Sequence, residues 1–185
     1  MLNELSPNGK LFIFAIALLL LSPIIVFMLP FTISQTFYFS RDNIVLITPI
    51  SNFTMLFLAI TLIILTLIIL GFKRNKYTYL ITIITIVSGL VLGYFSLLSY
   101  IAIQNTQIVF KEYLHKTTYE WQDIKEVIYE YETGTVGTYY FQTKNNEKFV
   151  IEENGQFGFG PEEKSAIYNL ANENSAIFIE REKVK

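Results

Sequence analysis

The side chains with the clearest chemical potential in this sequence are few and scattered. They are one histidine, His115; two aspartates, Asp42 and Asp123; and four glutamates, Glu152, Glu153, Glu162 and Glu163, that flank a glycine-rich stretch at Gly155–Gly160. A histidine can serve as a general base, but a catalytic dyad needs a nucleophile and an orienting carboxylate beside it, and the spacing supplies neither. His115 therefore reads as a solvated turn residue. The paired glutamates could in principle hold Ca²⁺, yet their spacing fits no calcium loop, and a charged solvent face is the simpler reading. Asp123 falls where a turn is expected, and a carboxylate there caps local amides. Cysteine is absent, which removes disulfides, thiolate metal sites and cysteine nucleophiles together. Asn52-Phe53-Thr54 matches a glycosylation acceptor, but it lies at the edge of an apolar run and reads as accidental. The residues specify no reaction, no metal and no cofactor.

The elements that would carry these groups are of two kinds. Three stretches, Leu11–Leu29, Ile50–Phe72 and Tyr77–Leu97, contain no Lys, Arg, Asp, Glu or His. At about 1.5 Å per helical residue each covers the roughly 30 Å of a bilayer's hydrocarbon core. From Ala102 onward the remaining 84 residues alternate and are rich in charge. The expected fold is thus a membrane region over residues 1–98, with spans at about 11–29, 50–72 and 77–97, followed by a mainly-β domain over 99–185. The 19-residue first run, with Pro23 inside it and no small-x-small site after it, suits a retained anchor better than a signal peptide. Pro23 should kink that span, and neighbouring helices should satisfy the carbonyl it frees. Residues 31–49 read as a loop.

No span carries an ionisable side chain, which argues against an ion pathway or proton relay. The hydroxyls of Thr61, Thr66, Thr82, Thr85 and Ser88 should bond back to their own helices. Gly89 and Gly93 form a small-xxx-small pair, a candidate helix-packing site. Packing within the chain is the plainer use, and a homo-oligomer through the third span is the alternative.

Charge divides along the same boundary. The first 101 residues hold five Lys or Arg against two acids, and the remainder holds nine against 14. An acidic domain is a poor partner for nucleic acid. Lys73, Arg74 and Lys76 cluster in the second loop and Lys10 lies on their side, against Arg41 alone across the membrane. The positive-inside rule then places the N-terminus in the cytoplasm and the C-terminal domain outside, though Lys111 and Lys116 narrow the count. Heavy use of Ile, Phe, Tyr, Asn and Lys suggests a bacterial plasma membrane.

The tail reads as strands at Gln107–Tyr113, Thr117–Glu120, Lys125–Glu132, Thr138–Thr143 and Lys148–Glu152, with breaks at Gly134 and Gly137 and turn chemistry at Lys144-Asn145-Asn146. In Lys125–Glu132, Val127, Tyr129 and Tyr131 share one face and Ile128, Glu130 and Glu132 the other. Pro161 opens a helix whose first turn carries Glu162 and Glu163, and Ala166, Ile167, Leu170 and Ala171 supply its apolar stripe. A strand at Ala176–Glu180 follows. The consequence is an antiparallel curved sheet, or partly open barrel, capped by one helix.

With its strand pair Tyr100–Ile103 and Thr106–Phe110, the turn Tyr119-Glu120-Trp121-Gln122-Asp123-Ile124-Lys125-Glu126-Val127, the hairpin Lys144–Ile151 and the helix from Pro161, the tail resembles the bacterial pleckstrin-homology-like domains attached to membrane helices. The resemblance covers about residues 99–175, and a strand after the helix departs from it. It implies a binding domain at the membrane surface, and some similar membrane proteins belong to bacteriocin self-immunity systems. Relatives of the fold bind phosphoinositides through basic first hairpins; here the matching turn offers only His115 and Lys116 amid an acidic domain. Trp121 and Ile124 are expected in the small core, since large aromatics dominate such cores. Tyr129, Tyr131 and Tyr139 form a tyrosine-rich face serving either core or interaction. The expected role is non-catalytic: a membrane protein that offers a sheet edge or groove to a membrane or envelope protein. The alternative is an accessory subunit of a transport or envelope complex acting through its spans, with the bilayer as the other partner. An enzyme ranks last.

Overall fold

The computed structural model describes residues 6–132, 137–153 and 159–183. Gly134 and most of the glycine-rich stretch, 154–158, lie outside the described residues. The chain divides into two compact units: Met1–Tyr38 with Thr48–Ser99, and Phe39–Ile47 with Tyr100–Lys185. Residues 39–47, left in the membrane half by the sequence, thus belong to the domain.

In the first unit, α1 (Pro7–Phe37), α2 (Ile50–Phe72) and α3 (Lys76–Phe95) are each long and apolar enough to cross a membrane, making this a multi-pass membrane protein. Ser6 starts α1 by accepting from the Gly9 amide at 3.1 Å, with Pro7 in the first helical position where its missing N–H costs nothing. The helix has 31 residues and so exceeds the expected span at both ends. Residues 31–37, expected as loop, are helical: the helix runs on through Pro30, and no Gly or further Pro occurs between Phe31 and Phe37. Pro23 deprives the Leu19 carbonyl of its donor. The hydroxyl of Ser22 donates to that same carbonyl at 2.8 Å, so the repair is local and needs no neighbouring helix.

Helix α2 packs against both α1 and α3. Ala15 meets Leu56, Ile60 and Ile64 in the buried seam. Gly71 admits the Phe12 ring: a Cβ there would sit 2.8 Å from Phe12 Cζ. The hydroxyls of Thr61, Thr66 and Thr85 donate to the carbonyls four residues back at 2.7–2.8 Å. Asn75 caps α3, its Oδ1 accepting from the Thr78 amide at 2.8 Å and hydroxyl at 2.9 Å. The Asn52 side chain is buried and donates to the Ser99 carbonyl at 2.8 Å, which removes it from any glycosylation chemistry.

Among the described residues the second unit contains two four-stranded sheets. Strands β1 (Asn43–Ile47), β2 (Tyr100–Gln104), β3 (Gln107–Glu112) and β4 (His115–Glu120) form the first in that order, all antiparallel. A single 3₁₀ turn, Trp121–Asp123, leads into the second, built from β5 (Ile124–Tyr131), β6 (Thr138–Thr143), β7 (Lys148–Glu152) and β8 (Ile177–Glu182) in the order β7-β6-β5-β8. Helix α4 (Pro161–Glu173) joins β7 to β8. Two features depart from the expected meander. Strand β1 comes from the first loop, where Ile44-Val45-Leu46-Ile47 has the β-branched composition of a strand but sits 52 residues from its partner β2. Strand β8 pairs parallel to β5, because the chain returns through α4. Val45, Ile103, Ile108, Trp121, Phe141 and Ile167 belong to one buried core supplied by both sheets and α4.

Candidate interaction surface

Strand periodicity decides which side chains of the second sheet face the core. Val127, Phe141, Phe149 and Phe178 lie opposite one another across its four strands and point inward. The same register sets the neighbouring row, Val150–Tyr140–Ile128–Ile179, on the other face. Val150 is 45% exposed, Tyr140 37% and Ile179 38%, with Ile177 nearby at 57%. An apolar row therefore crosses the outer face of all four strands. Polar rows border it: Glu152, Thr138, Glu130 and Arg181 on one side, Lys148, Gln142 and Glu126 on the other. Arg181 Nε donates to Glu130 Oε1 at 2.6 Å across β5 and β8, which fixes that border. An apolar strip rimmed by charge is the composition of a protein-docking face.

The inner face of this sheet carries the tyrosines. Tyr139 is 1% exposed and Tyr129 6%, with ring centroids 4.6 Å apart; Tyr131 is half-buried and stacks on Tyr129 at 5.8 Å. The tyrosine-rich face is thus turned to the core. Lys164 of α4 reaches into it, donating to the Tyr129 hydroxyl at 2.6 Å and pairing with Glu153 Oε1 at 3.0 Å. Glu153 Oε2 accepts from the Gly137 amide at 2.9 Å. Burial raises the Tyr129 phenol above its ordinary value, and the Lys164 hydrogen bond only partly offsets this. Burial also raises Tyr139, reinforced by the charge of Glu153. For Lys164 burial acts downward, but the Tyr129 hydrogen bond and the pairing with Glu153 outweigh it and hold the ammonium above its ordinary range. Phenol and ammonium both keep their protons at neutral pH, and the cluster fastens α4 to the sheet.

The other singled-out residues fall as follows. Trp121 is buried, its indole N–H donating to the Gln104 carbonyl at 2.8 Å, and Ile124 is fully buried beside it in the core. Gly89 faces α2, where a Cβ would sit 3.2 Å from Ile63 Cγ1 and 3.3 Å from the Ala59 carbonyl oxygen. Gly93 has nothing within 4 Å of such a Cβ, so the two glycines do not share one packing role. His115 is exposed opposite Glu112 at the start of β4. Among the described residues no group of three His, Cys, Asp or Glu side chains could hold a metal ion. The apolar row was not anticipated from sequence; its only signal is an out-of-phase apolar residue in each strand, Ile128, Tyr140, Val150 and Ile179. No protein-family model matches this chain, and no curated protein matches it in sequence.

Proposed function

We propose that this chain is a non-catalytic bacterial plasma-membrane protein whose C-terminal domain, pleckstrin-homology-like in plan, docks a membrane or envelope protein outside the cell. The apolar row Val150–Tyr140–Ile128–Ile179 carries this reading. It spends four apolar side chains on a face that the core does not use, and three of them are substantially exposed. The rim holds Glu126, Glu130 and Glu152 beside Lys148 and Arg181, so the partner face is apolar with charges of both signs around it. Two packed sheets with a helix support the pleckstrin-homology-like plan, while β1 and β8 are additions to it. Lys73, Arg74 and Lys76 at the α2–α3 connection support an outside domain. Immunity-type protection of the membrane is one concrete form of such a role.

The test is a photo-reactive amino acid at Tyr140, irradiated in intact cells that make the full chain. One discrete adduct is expected, lost when Ile179→Asp is added and absent when the probe replaces exposed Asn172 on α4. Uniform or absent labelling at both positions defeats the proposal. The open space beside Gly93 favours a second reading, in which α3 meets a partner helix or a second copy. Retention of the adduct's partner by the spans alone, after removal of residues 102–185, would select that reading.

A further inference from the structure

We propose that the basic end of the three-helix unit, formed by the start of α1 and the α2–α3 connection, binds anionic phospholipid through its headgroup phosphate. Three observations carry this. The first is where the charge falls. The described residues of this unit hold Lys10, Lys73, Arg74 and Lys76, and no Asp or Glu. The Phe12 ring lies against Gly71 and meets Phe72 edge-on, with centroids 5.0 Å apart. Phe27 meets Phe53 at 5.9 Å, so α1 and α2 run antiparallel. Lys10, close to Phe12 in the chain, therefore shares one end of the unit with the Lys73–Lys76 segment. At the other end, residues 31–38, 48–53 and 91–99 carry no Lys, Arg, Asp, Glu or His.

The second observation is depth. With 23 and 20 residues, α2 and α3 extend roughly 35 and 30 Å, about the thickness of a bilayer's hydrocarbon core. Only Lys73–Asn75 join them, a link too short to carry its charges far beyond the headgroups. Phe72 and Tyr77 bracket that link. Each is 78% exposed, more than any other large hydrophobic side chain among the described residues. Aromatic rings settle at headgroup level, and basic side chains accompany them there.

The third is unanswered charge. Lys73, Arg74 and Lys76 are exposed and crowd into four consecutive positions. The described residues of the unit supply no acid to pair with them, and Glu4, outside those residues, would answer one charge of four. Arg74 Nε donates to the Leu70 carbonyl at 3.4 Å, which draws the guanidinium back over the end of α2. Four cations at one end repel one another unless an anion joins them. At headgroup depth that anion is the lipid phosphate. A guanidinium grips it through paired N–H bonds, and the ammonium groups add point charges around it.

The full chain is reconstituted in phosphatidylcholine vesicles with a trace of spin-labelled phosphatidylglycerol or spin-labelled phosphatidylcholine. The motionally restricted fraction of each label gives the two lipids' relative affinity for the protein. Phosphatidylglycerol should be held several-fold better, and high NaCl should weaken that preference. Combining Lys10→Gln, Lys73→Gln, Arg74→Gln and Lys76→Gln should abolish it, with circular dichroism reporting that the helices persist. Lys111→Gln with Lys116→Gln, in the other unit, should leave it intact. Equal restriction of the two lipids by the parent protein at low salt overturns the proposal without any variant. Full preference in the fourfold variant, or its loss in the Lys111 and Lys116 variant, overturns it by assigning the lipid elsewhere. Loss of preference in sodium phosphate but not in NaCl of equal ionic strength also overturns it, because the basic end then takes a soluble anion.

Discussion

Ile47 lies directly opposite Ile101 in the β1–β2 ladder, although 53 intervening residues, among them two membrane helices, separate them in the chain. A backbone pairing of this kind requires both residues on one side of the bilayer. The chain thus leaves β1 for α2 and returns from α3 into β2 to pair with it. The domain is also incomplete without a strand borrowed from the first loop.

The borrowed strand should be essential for folding. Val45, Leu46 and Ile47 are all buried, and full burial of such side chains stabilises by roughly 2 kcal/mol each, a sum comparable to a small domain's whole stability. Residues 100–185 alone are expected to lack a cooperative urea transition followed by Trp121 emission. A soluble hybrid in which residues 39–47 are joined to residue 100 by a short turn should regain it. A cooperative transition of equal midpoint in both proteins would show that β1 is dispensable.

Single cysteines at Tyr77 and Thr106 test the proposed topology. In intact cells a membrane-impermeant maleimide should label Thr106→Cys, and label Tyr77→Cys only after permeabilisation. The reverse pattern puts the domain in the cytoplasm, and labelling of both sites from one side means that α3 does not cross the bilayer.

Alkaline pH should loosen the contact between α4 and the sheet. Tyr129 and Lys164 are both raised in the fold, from ordinary values of 10.0 and 10.5. Groups raised in this way contribute stability that is complete below the unfolded value and disappears as pH climbs through the folded one. Melting temperature should hold through neutral pH and fall above about pH 10. Lys164→Met should lower it at pH 7 and narrow its gap from the parent protein at high pH. A gap that stays constant with pH means the Lys164 contact is not the responsible one.

Gly137→Ala should damage the same cluster by shape alone. A Cβ there would lie 2.3 Å from Tyr129 Cε2 and 2.4 Å from its hydroxyl oxygen, so the ring and its bond to Lys164 have to move. Overpacking of this kind costs roughly 1–3 kcal/mol, which chemical denaturation of the domain hybrid would register. Retained stability in that variant would mean the Tyr129 ring is free to shift.

In the membrane, the two glycines of α3 should separate. Gly89→Leu crowds Ile63 and the Ala59 carbonyl and should lower thermal stability in detergent, whereas Gly93→Leu meets open space within the chain and should leave it unchanged. Equal losses would point to a contact at Gly93 with a second chain.

Local physics made much of the molecule legible from the sequence. Uncharged runs of spanning length specify helices wherever they lie, because a bilayer leaves backbone groups no other partners. The strands β5 to β7 and helix α4 followed from period-two alternation and from Pro161 with its two glutamates, all decided within a few residues. Helix ends were less legible: α1 continues through Pro30, locally a stop signal, to Phe37. The partners of strands were decided only by the fold. Nothing within Asn43–Ile47 names Tyr100–Gln104 as its neighbour, and nothing in Ile177–Glu182 asks for a parallel place beside β5; these are contacts across long separations, satisfied when the core closes. The same holds for the surfaces. Ile128, Tyr140, Val150 and Ile179 look like minor exceptions to alternation in four separate strands, and only the sheet register gathers them into one row.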